Sequence, residues 1–125
     1  MPLSALEEHM LARSTAQAAE GTTGAVHVVV EARALRDVDE RVIVVWEELG
    51  LVESPAAVLL YVAEEERQVR AMAGHLVNEA VDDEFWGQVV SLVGQGFGRG
   101  EPMSGLSDAV MQLGEVLRAV APVEA

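Results

Sequence analysis

Two rhythms of apolar and polar residues run along this chain, and acid clusters, Gly and Pro mark where one gives way to the other. Ser4 to about Ala19 predicts a helix: Ser4 and Glu7 stand at capping-box spacing, Leu6 and Met10 form a short apolar stripe, and Gly21 stops it. "AVHVVVEA", from Ala25, follows the turn signal "GTTG" and predicts a valine-rich strand. Asp37 to Leu49 is ambiguous. "RVIVVW" is rich in β-branched residues, as strands are, but Val38, Val42, Val45 and Leu49 recur at helical intervals, Asp37 and Glu40 have capping spacing, and Gly50 is a helix stop. The helix is the favoured reading.

"AAVLLYVA", residues 56 to 63, is a continuous apolar run between Pro55 and an acid cluster, the pattern of a strand buried on both faces. "EEER" then predicts a tight turn, and "QVRAMA" a half-exposed strand returning beside the buried one. Val81 to about Phe97 predicts a helix. So does Ser104 to Val120, where Leu106, Val110, Leu113, Leu117 and Val120 share one face and Pro122 marks the end. The predicted order is αβαββαα. Strands one and two are parallel through a helical crossover, strand three joins strand two as a hairpin, and helices cover both faces of a small mixed sheet, giving a three-layer α/β/α sandwich.

The stretch "GQGFGRGE", residues 94 to 101, invites a phosphate-loop reading. A dinucleotide loop leaves a strand and opens a helix, so that phosphate meets the positive helix end. Here the glycines follow a helix and meet its negative end, and the stretch is read as a helix terminus running into a flexible loop.

Composition narrows the chemistry. At 125 residues, half of them apolar, the chain is read as a single folded domain over 1–125. Its net charge of −13 opposes binding to nucleic acid and to anionic membrane surfaces. All eight basic residues are arginines and there is no cysteine, which removes Schiff-base lysine chemistry, the P-loop lysine, thiol nucleophiles, disulfides and zinc–thiolate sites. "MPLSALEEHML" lacks the apolar run of a signal peptide and no apolar run is long enough to span a bilayer, so the expected location is the cytoplasm.

The segments "TGAVHVVVEA", "AAVLLYVAEEERQVRAMAG" and "DDEFWGQVVSLVGQGFGRGEPMSGLSDAVMQLGEVL" resemble, in turn, the first strand, the central hairpin and the two closing helices of the TPM domain family. The resemblance runs from about residue 3 to 121 and includes a Gly–Leu pair, Gly105 and Leu106, at the last helix. It implies an α/β/α sandwich, with bacterial cytoplasmic members as the nearest comparison. It also implies a phosphatase or divalent-metal function, each described for some members. The chain departs from the family pattern where polar residues are usual. Ala56 and Ala57 stand where the family often has Asn–Gly, Gly74, His75 and Leu76 where a charged segment is usual, and Ala25 in place of the acidic residue of the first strand.

Glu79, Asp82 and Asp83 form the densest acid cluster near a loop, and carboxylates so placed suit Ca2+ or Mg2+; the same acids also cap a helix and complement its dipole. Glu64, in the "EEER" turn, is expected near the carboxyl end of the first strand at Glu31 and Arg33, where open α/β sheets bind ligands. His75 is placed in a loop, with Asn78 nearby, as the histidine best able to act as acid, base or ligand; His9 and His27 share no metal spacing with it. Trp86 is a candidate contact anchor or a cover for the sheet edge. No serine sits in a nucleophile-elbow motif, and sequence spacing leaves hydrolysis by two carboxylates open.

Three functions follow in order of preference. The first is a non-enzymatic interaction or scaffold domain whose acidic surface suits a basic protein partner, such as the positive cytoplasmic face of a membrane protein. The second, implied by the family, is a divalent-metal-dependent phosphatase-like hydrolase. The third is a small-ligand-binding domain at the loop of His75 and Asn78.

Overall fold

A computed structural model describes residues 3–123; the outermost residues of the domain expected over 1–125 lie outside the described part. In chain order the elements are α1 (Ala5–Ala19), β1 (Ala25–Glu31), α2 (Val38–Glu48), β2 (Ala57–Ala63), β3 (Gln68–Ala73), α3 (His75–Ala80), α4 (Asp83–Gly98) and α5 (Pro102–Val120). The predicted order αβαββαα is present, with one short helix, α3, added between the hairpin and the two closing helices.

The sheet has the order β1-β2-β3, with β1 and β2 parallel and β2 and β3 antiparallel. All seven residues of β2 are buried, which explains their unbroken apolar run: both faces of the central strand meet helices. Val58, Leu60 and Val62 enter one core with Leu11 of α1, Val77 of α3, Val89 of α4 and the apolar face of α5. Leu59 and Tyr61 enter a second core beneath α2, with Val42, Val45 and Trp46. These two cores make the three-layer sandwich.

The ambiguous segment is a helix because of phase. Val42, Val45 and Trp46 are buried at helical spacing, whereas Ile43 between them is half exposed, and no alternating strand places residues so. Asp37 starts it, its Oδ1 accepting from the backbone N–H of Asp39 at 3.0 Å and Glu40 at 3.4 Å. Leu49, counted on the buried stripe from sequence, is exposed, and Trp46 takes its place.

α1 carries the expected capping box, Glu7 N–H donating to Ser4 Oγ (3.1 Å) and Ser4 N–H to Glu7 Oε1 (3.0 Å). Its expected stripe is not the face it buries. Leu11 and Ala18 are buried while Leu6 and Met10 stand exposed, because α5 approaches through Gly114, where an added Cβ would lie 3.0 Å from Ala18 Cα. The glycine stretch also corrects the expectation of a loose end. Gly94, Gly96 and Gly98 belong to α4, and the turn waits until Arg99 and Gly100, the latter at φ 73°. Gly96 is the crossing point with α5: a Cβ there would lie 2.8 Å from Gly105 N. α5 then starts at Pro102 rather than Ser104, with the ring at the helix N-terminus where no N–H is needed.

Candidate functional site

The two ends of the sheet carry the residues singled out from sequence. At the carboxyl end of the parallel strands, Glu31 is the last residue of β1 and faces the α2 layer. Arg41, in the first turn of α2, meets it with both arms of its fork, Nη2–Oε2 at 2.7 Å and Nε–Oε1 at 2.9 Å. Tyr61 of β2 is fully buried and donates its hydroxyl to Glu31 Oε1 at 2.5 Å. Arg41 Nη1 reaches Glu48 Oε1 at 3.2 Å.

This clasp fixes the charge states of its members. The Arg41 hydrogen bonds hold the Glu31 carboxyl below its ordinary range, against the opposing effect of burial, and Tyr61 adds to the lowering. Glu31 in turn raises the Arg41 pKa further. Burial, with the neighbouring carboxylate, pushes the Tyr61 phenol up to about 12. A carboxylate that is bidentately paired and also accepts from a phenol is a poor proton acceptor, and a phenol held protonated is a poor nucleophile. The arrangement therefore joins β1, β2 and α2 rather than offering acid–base chemistry. Sequence reading missed it, although Tyr61 carried the signal: a phenol inside a fully buried strand needs a partner for its hydroxyl.

The "EEER" turn lies at the same end. Glu64 N–H donates to the Glu31 carbonyl and Glu65 N–H to that of Ala32, each at 2.9 Å. The Glu66 carboxylate accepts from Ala34 N–H at 2.9 Å, and Glu65 pairs with Arg33 at 3.3 Å. The turn is thus stitched to the segment between β1 and α2. Arg67 takes φ 56° to close the hairpin. Beside it, on the other face of the sheet, lies a cleft of about 700 Å³, lined among others by Glu64, Arg67, Gln68, Phe97, Gly98 and Pro102. Glu64 therefore stands where sequence reasoning put it, outside the strand ends of an open α/β sheet.

The amino end of β2 is built from small residues. Ala56 and Ala57 are buried, Ala25 pairs with Ala57, and Gly74 N–H donates to the Ala57 carbonyl at 2.9 Å. A Cβ on Gly24 would strike the Ala56 carbonyl oxygen, and one on Gly74 the carbonyls of Ser54 and Pro55. His75 is not in a loop: it is the first residue of α3, with an exposed side chain. The extended backbone of Gly74 turns the chain into this six-residue helix, which buries only Val77 and so gives too short an apolar period to read from sequence. Asn78 is exposed and ties α3 to β3 through Nδ2 and the Ala73 carbonyl at 2.8 Å. Neither His75 nor Asn78 lines any of the clefts described here.

The acid cluster sits at the start of α4. Asp82 is its N-cap, Oδ1 accepting from Phe85 N–H at 2.9 Å, while Asp83 and Glu79 are exposed. Among the described residues no group of three or more His, Asp or Glu is arranged to hold a metal ion. Trp86 is half buried against the larger core and meets Phe85 edge-to-face, the centroids 5.4 Å apart at 75°. No described helix is long and apolar enough to cross a membrane.

Comparison with known proteins bears on these positions. The family described as the TPM domain matches residues 2–116. The fold is similar to the NMR structure of the BA42 protein from the psychrophilic bacterium Bizionia argentinensis, with TM-score 0.84 and 26% identity over 99% of this chain and 87% of that one. It is also similar to the N-terminal domain of a P. gingivalis protein, with TM-score 0.77 and 17% identity over 98% of this chain and 82% of that one, a likeness of fold alone. Among curated proteins none matches.

Proposed function

Given that the chain belongs to the TPM domain family, we propose that it serves as a non-catalytic protein-interaction module. One observation carries this reading. At the amino end of the sheet, where the family resemblance leads one to look for polar residues, this chain places Ala25, Ala56 and Ala57 together with glycines walled in by backbone carbonyls. Among the described residues no group of three or more His, Asp or Glu is arranged there to hold a metal ion. The acids that are held in place elsewhere have structural work: Glu31 in the clasp, Asp37 and Asp82 as helix caps. The net charge of −13 selects a basic partner, and the basic cytoplasmic face of a membrane protein is one such surface.

The test is a thermal melt of chelated protein with added Ca2+, Mg2+ or Mn2+, run beside an assay with a generic phosphomonoester. A ligand that binds only the folded state raises the midpoint. The module reading expects an unchanged midpoint and no hydrolysis. An ion-specific rise accompanied by hydrolysis, both removed by replacing Asp82 and Asp83 with Ala, would instead establish the metal-dependent hydrolase.

A further inference from the structure

The two outer strands of the sheet are finished differently. On β3, Arg70 lays its side chain along its own strand, Nη1 donating to the Val69 carbonyl at 3.1 Å and to Gln68 Oε1 at 2.8 Å, while Nε binds Asp39 Oδ1 of α2 at 2.6 Å. A charged side chain of this kind discourages further strands from adding. β1 has no such device. "AVHVVVE" contains no Pro, no bulge and no basic residue except His27, whose pKa burial lowers, so that the ring is neutral at pH 7.

The direction of the β1 backbone follows from its two ends. Ala25 N–H donates to the Ala56 carbonyl and the Glu31 carbonyl accepts from Glu64, so the odd-numbered residues point their backbone groups toward β2. Alternation then turns the N–H and C=O of Val26, Val28 and Val30 outward, away from the sheet. These strand residues floor a groove of about 410 Å³, walled by Leu11, Ala12 and Thr15 of α1 on one side and by Leu49, just past α2, on the other. The one charged residue of its lining is Glu8.

We propose that this groove binds an extended segment of a basic partner protein, which adds to the sheet as a fourth strand beside β1. The proposal rests on the interaction-module reading and names its surface. Outward backbone groups supply the hydrogen bonds, and the apolar walls accept alternate side chains. Charge decides the occupant. A second copy of this chain brings another −13 of charge to the groove, whereas basic residues flanking an apolar extended segment meet Glu8 and a chain of net charge −13.

The experiment is titration of the full chain with a synthetic ten-residue peptide of alternating Val and Thr flanked by arginines, read by fluorescence anisotropy. The expected result is saturable binding that weakens with added salt. Binding should fall on the order of tenfold when alternate peptide amides facing β1 are N-methylated, and remain when the other set is methylated. Val28→Pro removes an outward N–H without touching the bonds to β2 and should abolish binding. Leu49→Glu on the groove wall provides a second variant, should Val28→Pro fail to fold by circular dichroism. Absence of saturable binding, or equal effects of the two methylation patterns, overturns the proposal. So does a dimer in sedimentation that Val28→Pro dissolves, since a second copy would then hold the edge. Failure on any of these counts leaves the interaction-module reading standing; only ion-dependent hydrolysis removes that.

Discussion

At the amino end of β2 the chain closes on itself, with Gly24 and Gly74 leaving no room for a side chain; at the carboxyl end the strands are held by long side chains, Glu31, Arg41 and Tyr61, whose polar tips meet beneath the α2 layer. Both ends hold β1 and β2 in place, but they fail differently. A backbone contact tolerates no added atom, while a side-chain clasp depends on every partner remaining charged or protonated as it is. At the amino end the chain places Ala25 beside Ala57 and buries Ala56 and Ala57 in tight packing.

The sharpest way to break the contrast is Gly74→Ala. The new methyl would meet the carbonyls of Ser54 and Pro55, and neither is the far end of a flexible side chain. Urea denaturation should show a loss of about 3 kcal/mol. A loss below about 1 kcal/mol would mean that this end yields and has room for a ligand after all.

The next effect is at the other end. Tyr61→Phe keeps the buried ring and removes the hydrogen bond to a charged acceptor, with an expected cost of about 1.5–2 kcal/mol. The pH dependence has a definite sign. A phenol raised from 10.0 to about 12 in the folded state contributes stability that is complete below pH 10 and lost as pH climbs from 10 through about 12. Tyr61 is the only tyrosine, so the ultraviolet absorbance of tyrosinate reports this residue alone. Its midpoint should lie near 12 in folded protein, and Tyr61→Phe should lose this part of the alkaline decline. On the acid side the lowered Glu31 contributes stability that is present above pH 4.5 and lost as pH falls below it. His27, lowered by burial, resists protonation in the folded state and adds a loss beginning below pH 6.5.

These two ends also show what the sequence made legible. The buried strand, the hairpin and the closing helices were readable because their signals are local: an unbroken apolar run, a turn cluster, a 3.6-residue period. The place of the "EEER" turn is legible because strand polarity puts hairpin turns at a known end of the sheet. The clasp is not readable from sequence, since the register of β1 on β2 brings Tyr61 beside Glu31 and the packing of α2 on the sheet brings Arg41. The helix that begins at His75 is not legible from sequence, because six residues with one buried side chain leave almost no periodic trace. Gly96 reads from sequence as part of a helix end because crowding against Gly105 is a property of two helices, not of one.

Asp82→Ala offers a smaller effect with a clean division between roles. As the N-cap of α4 its carboxylate satisfies the Phe85 N–H, and removal should cost about 1 kcal/mol whatever ions are present. Asp83→Ala, exposed in the first turn, should stay within about 0.5 kcal/mol. If Asp82→Ala cost more in the presence of Ca2+ or Mg2+ than after chelation, the acid cluster would be holding an ion and the contrast between the two ends would lose its functional meaning.

The smallest effect runs in the opposite direction. Gly94 stands inside α4 on the wall of the carboxyl-end cleft, and a Cβ added there would meet nothing within 4 Å, whereas one on Gly96, two residues later, would meet Gly105 and Glu101 at 2.8–2.9 Å. Gly94→Ala should therefore stabilise the protein by about 0.5–1 kcal/mol, through helix propensity and a more restricted unfolded chain, while Gly96→Ala should destabilise it. Thermal melts of the two variants side by side separate glycine that is needed from glycine that is tolerated. A stabilised Gly94→Ala would show that the cleft's wall accepts a side chain and that the space there is open, the property that the amino end of the sheet lacks.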